Sequence, residues 1–323
     1  MQSNTMAANS QNHSTPGKPK VSVVMSVYNG TNLLRETIES ILSQEGVALE
    51  FIIVNDGSTD ESAVILDEYA NLDPRVRIIN QPNQGLTNGL IAGCAASRGD
   101  YIARQDTGDI SLPDRLAKQL HWIEKHPDAA VVSCGTRYVG PKDEHLFDVS
   151  YNSGDATDYL LTLRMNQIRG PSSHPSTLFH RSLYERVGGY RAAFYFAQDL
   201  DLWVRLAEVG KHIVNNEVLY QTSITVASIS GRYRKEQVET SRIILKCARL
   251  RRAGLSESPA LDQARSFKPS GKRSNTRMAR ASALYFIGAC LRKQSNAQAQ
   301  SYFKEALQAY PFHLKSAARF LFG

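Results

Sequence analysis

The sequence predicts an α/β protein, with a doubly wound sheet in its first two thirds and a helical region behind it. Three observations carry this. Short, continuous apolar runs rich in β-branched residues read as strands buried on both faces. Those runs alternate with amphipathic segments of helical period, the pattern of a sheet layered with helices. Beyond Tyr233 the strand pattern stops and only helical spacing continues.

The elements follow in order. VSVVMSV from Val21 is the first strand, ending at Tyr28-Asn29-Gly30, and the apolar spacing over 33–42 predicts an amphipathic helix after the turn. The pattern repeats with a strand at 50–54, the turn NDGSTD, a helix over 60–70, a strand at 76–80, a Pro-Asn-Gln-Gly loop, a helix near 86–96 and a strand at 101–104. Ligands of such sheets bind at the carboxyl ends of the strands, so the loops after Val27, Val54, Asn80 and Arg104 should share one crevice. Pro113 opens a helix closed by Pro127, DAAVVSCG reads as one more strand, and 135–175 reads as loops marked by Pro141, Gly154, Gly170 and Pro171. A helix carrying Asp199-Leu200-Asp201-Leu202-Trp203 comes next. The last stretch, ASALYFIGACLRKQSNAQAQSYFKEALQAYP, has the form of one tetratricopeptide-like hairpin. One such unit cannot bury its face alone, so it should pack on the sheet domain, on a sister chain as a homodimer, or on a partner. The expected organisation is therefore a disordered polar leader over 1–20, an α/β domain over 21–228 and a basic helical region over 229–323.

Composition narrows the function classes. With 42% hydrophobic and 21% charged residues among 323, the chain is an ordinary globular one. No apolar run approaches the length of a membrane span, and the start lacks the apolar core of a secretory signal, so the cytoplasm is the expected compartment. Four well-separated cysteines without a C-x-x-C pair argue against a zinc ribbon or a disulfide scaffold. The net charge of +7 is unevenly placed: 229–281 holds 14 Lys and Arg against 4 Asp and Glu, a local +10 that leaves −3 elsewhere. Solvated helix faces explain such a stretch, which includes Arg232, Arg234, Lys235, Arg242, Lys246, Arg249, Arg251 and Arg252. So does a peripheral contact with an anionic membrane at its inner face. No nucleic-acid-binding signature accompanies the charge.

The candidate chemistry sits in the loops. Asp56, Asp60, Asp106 and Asp109 follow predicted strands, with Asp199 and Asp201 later in the chain. There is no G-x-G-x-x-G after the first strand and no Walker A lysine loop, so a phosphorylated ligand needs another counter-charge. A divalent cation held by Asp106 and Asp109 directly after a strand would supply it.

VSVVMSVYNG, NDGSTD, NQGL, GDYIARQDTGDISLPDRLAKQ, the HPS segment, GGYR and QDLDLWVRL occur in the order seen in the family 2 glycosyltransferases, and the resemblance covers roughly 21–220. It implies a Rossmann-like nucleotide-diphospho-sugar transferase (GT-A) fold and an inverting transfer from a nucleotide-sugar, UDP- or dTDP-linked, to a saccharide or lipid-linked acceptor hydroxyl in surface polysaccharide, lipopolysaccharide or glycolipid synthesis. It implies that Val27, Tyr28 and Asn29 line the nucleotide pocket, that Asp56 accepts a hydrogen bond from the base, and that Asn83, Gly85 and Arg104 lie close to nucleotide and sugar. Asp106-Thr107-Gly108-Asp109 is similar to the family's metal motif, with Gly108 in place of the second carboxylate, and implies Mg2+ or Mn2+ on Asp106 and Asp109. Asp199 stands at the position of the catalytic base, with Gln198 where the family has Glu. His174 implies a contact to phosphate or acceptor, against a structural role at equal weight. Trp203 and Arg205 are expected to stabilise the fold. Ser228-Ile229-Ser230 resembles a Ser-x-Ser element that in the family lies close to a metal-binding His, and no His neighbours it here. The competing reading is a degenerate member that binds a nucleotide-sugar or a partner without catalysis, which Gly108 and Gln198 would support. A nucleotidyltransferase would need a glycine-rich pyrophosphate loop that YNGTNLL lacks, and a processive synthase would need membrane spans and a Gln-x-x-Arg-Trp motif.

Overall fold

The computed structural model describes residues 17–224, 233–268 and 276–322. The first 16 residues of the leader, the Ser228-Ile229-Ser230 element, Arg232 and the basic link 269–275 lie outside the described residues.

Strand β1 (Val21–Val27) is followed by α1 (Thr31–Leu42), β2 (Leu49–Asp56), α2 (Ser62–Leu72), β3 (Val76–Gln81), α3 (Leu86–Ala95) and β4 (Tyr101–Arg104). Next come β5 (Ile110–Ser111), α4 (Arg115–Lys125), β6 (Ala129–Val139), β7 (His145–Val149), β8 (Gly154–Asp155), α5 (Thr157–Leu161), β9 (Thr177–His180), α6 (Arg181–Arg186), α7 (Gln198–Ala207) and β10 (Lys211–Ser223). The chain continues with α8 (Arg234–Arg252), α9 (Ser258–Arg265), α10 (Thr276–Leu291), α11 (Asn296–Ala309) and α12 (Leu314–Phe322). Among the described residues no helix is long and apolar enough to cross a membrane, and all four cysteines are free.

The sheet runs β3-β2-β1-β4-β9-β6-β10-β5, with β7 paired to β6 and β8 to β10. The four strands β3, β2, β1 and β4 are parallel, as the alternation predicts. Beyond them the sheet is mixed, because β9 inserts antiparallel between β4 and β6. Four residues are too few to show a period, which is why TLFH gave no strand signal. The stretch expected as loops over 135–175 also holds more structure, since β6 continues to Val139 and turns back as β7.

Side-chain alternation along β1 builds two cores. Val21, Val23, Met25 and Val27 face a layer with Leu34 and Ile38 of α1, Ile65 of α2 and Leu116 of α4. Val24 faces the other layer, with Leu90 of α3, Phe179 of β9, Trp203 of α7 and Leu245 of α8. Trp203 is buried, with its ring edge-on to Phe179, as its expected structural role requires.

Helices α8 and α9 complete the sheet domain's second layer. Ile243, Ile244, Cys247, Ala260 and Ala264 close over Phe194 in a shared cluster. Several basic residues of α8 are tied down while Arg234, Lys235 and Lys246 stay exposed: Arg251 and Arg252 pair with Glu208, Arg251 also with Glu257, Arg242 pairs with Glu239, and Arg249 donates to the Leu163 carbonyl. Asp201 on α7 is gripped by Arg205 (2.6 Å) and by Arg191, which also holds Glu257 at the start of α9. The tetratricopeptide-like hairpin α10–α11 finds its partner in the sheet domain. Leu146 of β7 is buried among Leu284, Ile287, Leu291, Tyr302 and Phe303, and the Tyr302 hydroxyl donates to Glu144 at 2.6 Å.

Removing Asp201 strands two largely buried guanidinium groups without their shared carboxylate. Asp201→Ala is expected to cost about 3–5 kcal/mol of stability, read as a lowered urea midpoint with unchanged slope; a midpoint within experimental error of the parent would refute this role.

Candidate functional site

The loops at the carboxyl ends of β1 to β4 converge as the topology demands. Val27 ends β1 inside the core, and Tyr28 beyond it is 54% exposed. Asn29 adopts a left-handed conformation with φ of 53°, which Asn tolerates better than most residues. Its backbone N–H donates to Ser58 Oγ at 3.1 Å, and its side-chain oxygen accepts from the Thr59 N–H at 2.8 Å, so the β1 and β2 loops are stitched together. Asp60 ties the starts of α1 and α2: burial opposes its charge, yet hydrogen bonds from Ser62 and Thr31 outweigh burial and lower the carboxyl to about 2. A cavity of about 220 Å³ opens here, lined by Asn29, Gly30, Asp60, Thr107 and Gly108.

Asp56 is 2% exposed and holds the β3–α3 loop. Its Oδ1 accepts from Gln81 Nε2 (2.7 Å) and the Gln84 N–H (2.9 Å), and its Oδ2 accepts from the Gly85 N–H (2.8 Å). Gly57 has a φ of 74°, and a Cβ there would meet the Asn83 nitrogen at 2.6 Å. Only glycine lets the two loops approach this closely. Asn83 is exposed at the loop tip, and Gly85 leads into α3 beside Tyr195.

Arg104, the last residue of β4, is fully buried. Its guanidinium donates to the Val24 carbonyl (2.8 Å), the Gln105 carbonyl (3.0 Å) and Asp106 Oδ1 (2.5 Å). Burial opposes its charge, and Asp106 together with Tyr190, Cys94 and Tyr220 more than restores it. Arg104 Nε, which can only donate, lies 3.4 Å from His174 Nε2, and the Tyr190 hydroxyl lies 2.7 Å from the same nitrogen. Burial, then Arg104, hold His174 well below its ordinary value. The imidazole is neutral, accepts at Nε2 and carries its proton on Nδ1.

Asp106 and Asp109 meet through Tyr220 of β10. The Tyr220 hydroxyl donates to Asp109 Oδ2 at 3.0 Å and accepts from the Asp106 N–H at 3.2 Å. Burial, then Asp106, raise Asp109 well above the usual carboxylate range, although hydrogen bonds from Thr222 and Tyr220 lower it. Gly108 between them has a φ of 90° and donates its N–H to Thr37 Oγ1 at 3.0 Å. The missing motif carboxylate thus coincides with a backbone geometry that favours glycine. Asp109 does not cap α4; that position falls to Asp114. Among the described residues Asp106 Oδ2 has no hydrogen-bond partner, and no group of three or more His, Cys, Asp and Glu gathers for a metal. An available carboxylate oxygen and a second acid short of positive charge suit a hard divalent cation that takes its remaining oxygens from water and ligand.

Asp199 opens α7, where its carboxylate faces the helix's own N–H groups. Burial raises it, the Leu200 and Asp199 N–H groups oppose that rise, and Asp106 and Arg104 act on it from nearby. Asp199, Asp106, Arg104 and His174 therefore form one electrostatic neighbourhood, while Asn29, Asp56, Asn83 and Gly85 line the adjoining loops. A larger cavity, about 530 Å³, lies apart at Asp158, Tyr159 and Arg169 and includes none of these residues.

Sequence reasoning assigned no role to Arg115, Tyr190, Tyr195 or Tyr220. Arg115 is fully buried, donates to the Arg104 carbonyl at 2.9 Å and stacks over Tyr220 with its guanidinium carbon 4.8 Å from the ring centre. The signal was an arginine at the start of an otherwise amphipathic helix, a place where charge is ordinarily solvated.

The family model described as glycosyl transferase family 2 matches residues 22–188. A putative glycosyltransferase, EpsE, of Bacillus subtilis (strain 168) is 36% identical over 209 residues, which cover 63% of this chain and 72% of that protein. The crystal structure of S. aureus TarS 1–349 with UDP-GlcNAc superposes with a TM-score of 0.56 at 15% identity, covering 93% of this chain and 89% of that one. The mannosyltransferase PcManGT from Pyrobaculum calidifontis, solved with GDP-Man and Mn2+, gives a TM-score of 0.54 at 18% identity, covering 95% and 88%. At these identities the structural likeness speaks for the fold.

The Asp56 contacts make the β3–α3 loop depend on one carboxylate. Asp56→Asn places an amide donor against backbone N–H groups and should speed hydrogen exchange at Gln84 and Gly85 by roughly 10- to 100-fold, the scale of one lost buried hydrogen bond; unchanged protection would show that the loop is held otherwise.

Proposed function

The chain belongs to glycosyl transferase family 2 and is a glycosyltransferase of the GT-A fold, and on that premise we propose that it transfers a sugar from a nucleotide-diphosphate donor to an acceptor hydroxyl with inversion. The observation that carries the proposal is Asp199, a part-buried carboxylate with a raised pKa, close to both Arg104 and Asp106. In a single displacement the acceptor oxygen bonds to the anomeric carbon while the bond to the nucleotide diphosphate breaks. The bonding pair departs with the diphosphate, and Asp199 takes the acceptor's proton. A carboxylate whose pKa lies nearer neutrality is the stronger base for that transfer.

The other residues orient and neutralise. The β1 and β2 loops, with Tyr28 and Asn29, receive the nucleoside, and the Asp56 Oδ2 lone pair not used by Gly85 accepts the N–H of a uracil or thymine base. The His174 Nδ1–H donates to phosphate or acceptor. Arg104 pairs with Asp106 and orients it. Mg2+ or Mn2+, held by Asp106 with Asp109 behind it, would neutralise the leaving diphosphate when bound. The φ of 90° at Gly108 favours this catalytic reading over the degenerate one, because backbone geometry by itself accounts for the departure from the motif. In this reading the donor is a UDP- or dTDP-sugar and the product a surface polysaccharide, lipopolysaccharide or glycolipid.

Two measurements test this. Calorimetric titration with UDP, dTDP and GDP is expected to show binding of a uridine or thymidine diphosphate in Mn2+ that weakens in EDTA; tighter binding of GDP, or binding indifferent to EDTA, would overturn the donor or the metal assignment. Asp199→Asn should retain nucleotide binding and lose ~10²–10⁴-fold in transfer. Because the base works ionised and its pKa is raised, wild-type transfer should fall as pH is lowered through that elevated value; transfer by Asp199→Asn at the parent rate would remove Asp199 from this role.

A further inference from the structure

The helix α12 presents a face that nothing else in the described chain covers. Its inner side is fixed: His313 accepts the Ser316 N–H, its Nδ1 lies 2.7 Å from Ser316 Oγ, its ring packs on Tyr285, and Gln300 of α11 donates to the Arg319 carbonyl. Ser316 is fully buried as a result. The outer side must then face away. Leu314 is 81% exposed and Leu321 is 68% exposed, and with Ala318 they recur at i, i+4 and i+7, which makes one apolar stripe. Lys315 and Arg319, each one residue further along, form a basic stripe beside it. Phe312, just before the helix, is 78% exposed.

Charge identifies the occupant. From 276 to 322 the sequence has seven Lys and Arg against one acid, Glu305. Among the described residues none of the seven is drawn into an ion pair, unlike Arg242, Arg251 and Arg252 of α8, which pair with Glu239, Glu208 and Glu257. A short helix with exposed leucines, a flanking basic stripe and no acid of its own matches the chemistry of an anionic bilayer surface, where apolar side chains enter the headgroup boundary and ammonium and guanidinium groups meet phosphate.

We propose that the outer face of α12, with Phe312, is a docking surface for anionic lipid membrane, on which the protein lies without spanning it. It adds to the basic stretch of α8 a second surface, one whose basic groups form no ion pair among the described residues. The surface stands whether or not the transferase reading holds.

Flotation of the full chain with vesicles tests the proposal. Wild-type protein should float with vesicles containing phosphatidylglycerol and partition at least about tenfold less onto pure phosphatidylcholine. Lys315→Ala with Arg319→Ala should lower partitioning roughly 10- to 30-fold, the scale of two basic contacts, and 0.5 M salt (on the order of a 4 Å screening length) should act the same way. Leu314→Ser with Leu321→Ser should lower it even at low salt. Thermal unfolding and nucleotide binding of both variants should match the parent, which separates a surface effect from misfolding. Equal partitioning of parent and variants, absence of binding to anionic vesicles, or a concentration-dependent dimer that the leucine variant dissociates would overturn the proposal, the last by assigning the face to a second copy.

Discussion

The site depends first on a single buried cation. Arg104 stands at the end of β4 with no exposure to solvent, and a guanidinium so placed is tolerable only if its N–H groups are matched. Val24 and Gln105 supply carbonyls, Asp106 a carboxylate and His174 a ring nitrogen. These partners come from β1, from the loop after β4 and from the segment leading into β9. Satisfying one charge therefore positions the strand ends, aims Asp106 and selects the His174 tautomer. Arg115 supports the arrangement from beneath, donating to the Arg104 carbonyl and to the Pro175 carbonyl, so that the backbone on both sides of the crevice is fixed by fully buried guanidinium groups.

A second set of charges governs the helix that carries Asp199. Asp201, two residues on, is held by Arg191 and Arg205; Arg191 reaches Glu257, and Glu257 reaches Arg251, which holds Glu208 at the end of α7. The chain of ion pairs closes on the same helix from both ends. Its consequence is that α8 and α9, which by composition look like a separate basic region, act as a brace for the candidate base. Partly buried pairs of this kind contribute modestly to net stability but strongly oppose alternative packings, because any displacement leaves a charge unmatched.

Acid chemistry in the crevice follows from the shortage of positive charge. Asp106 is compensated by Arg104, while Asp109 is shielded from water and sees Asp106 as a like charge. Asp199 is raised by desolvation too, and has the same neighbour. Three carboxylates near one directly paired guanidinium leave room for a cationic partner, and a nucleotide diphosphate brings its own need for one.

The parallel half of the sheet was legible because β1, β2 and β3 are apolar, β-branched runs each followed by a helix; the short β4, which ends on Arg104, was legible from its place in that alternation. The motif residues were legible as a series, since most of them lie at or just after the carboxyl end of a parallel strand and those ends share one edge of the sheet. What local pattern could not determine were the partners. A four-residue strand such as β9 has no period of its own and exists because β4 and β6 offer unpaired edges. Asp56 carries the same letters whether it meets a base or the backbone of Gln84 and Gly85, and Arg251 and Arg252 look solvated until Glu208 and Glu257 are brought to them. The sequence by itself determined the α/β class, the edge of the sheet where chemistry gathers and the carboxylates that would perform it, because these depend on spacing within one element. Only the tertiary structure decided which charges are paired, which acid is shielded and which helix face is left open, because burial and electrostatic partnership are set by residues far apart in the chain.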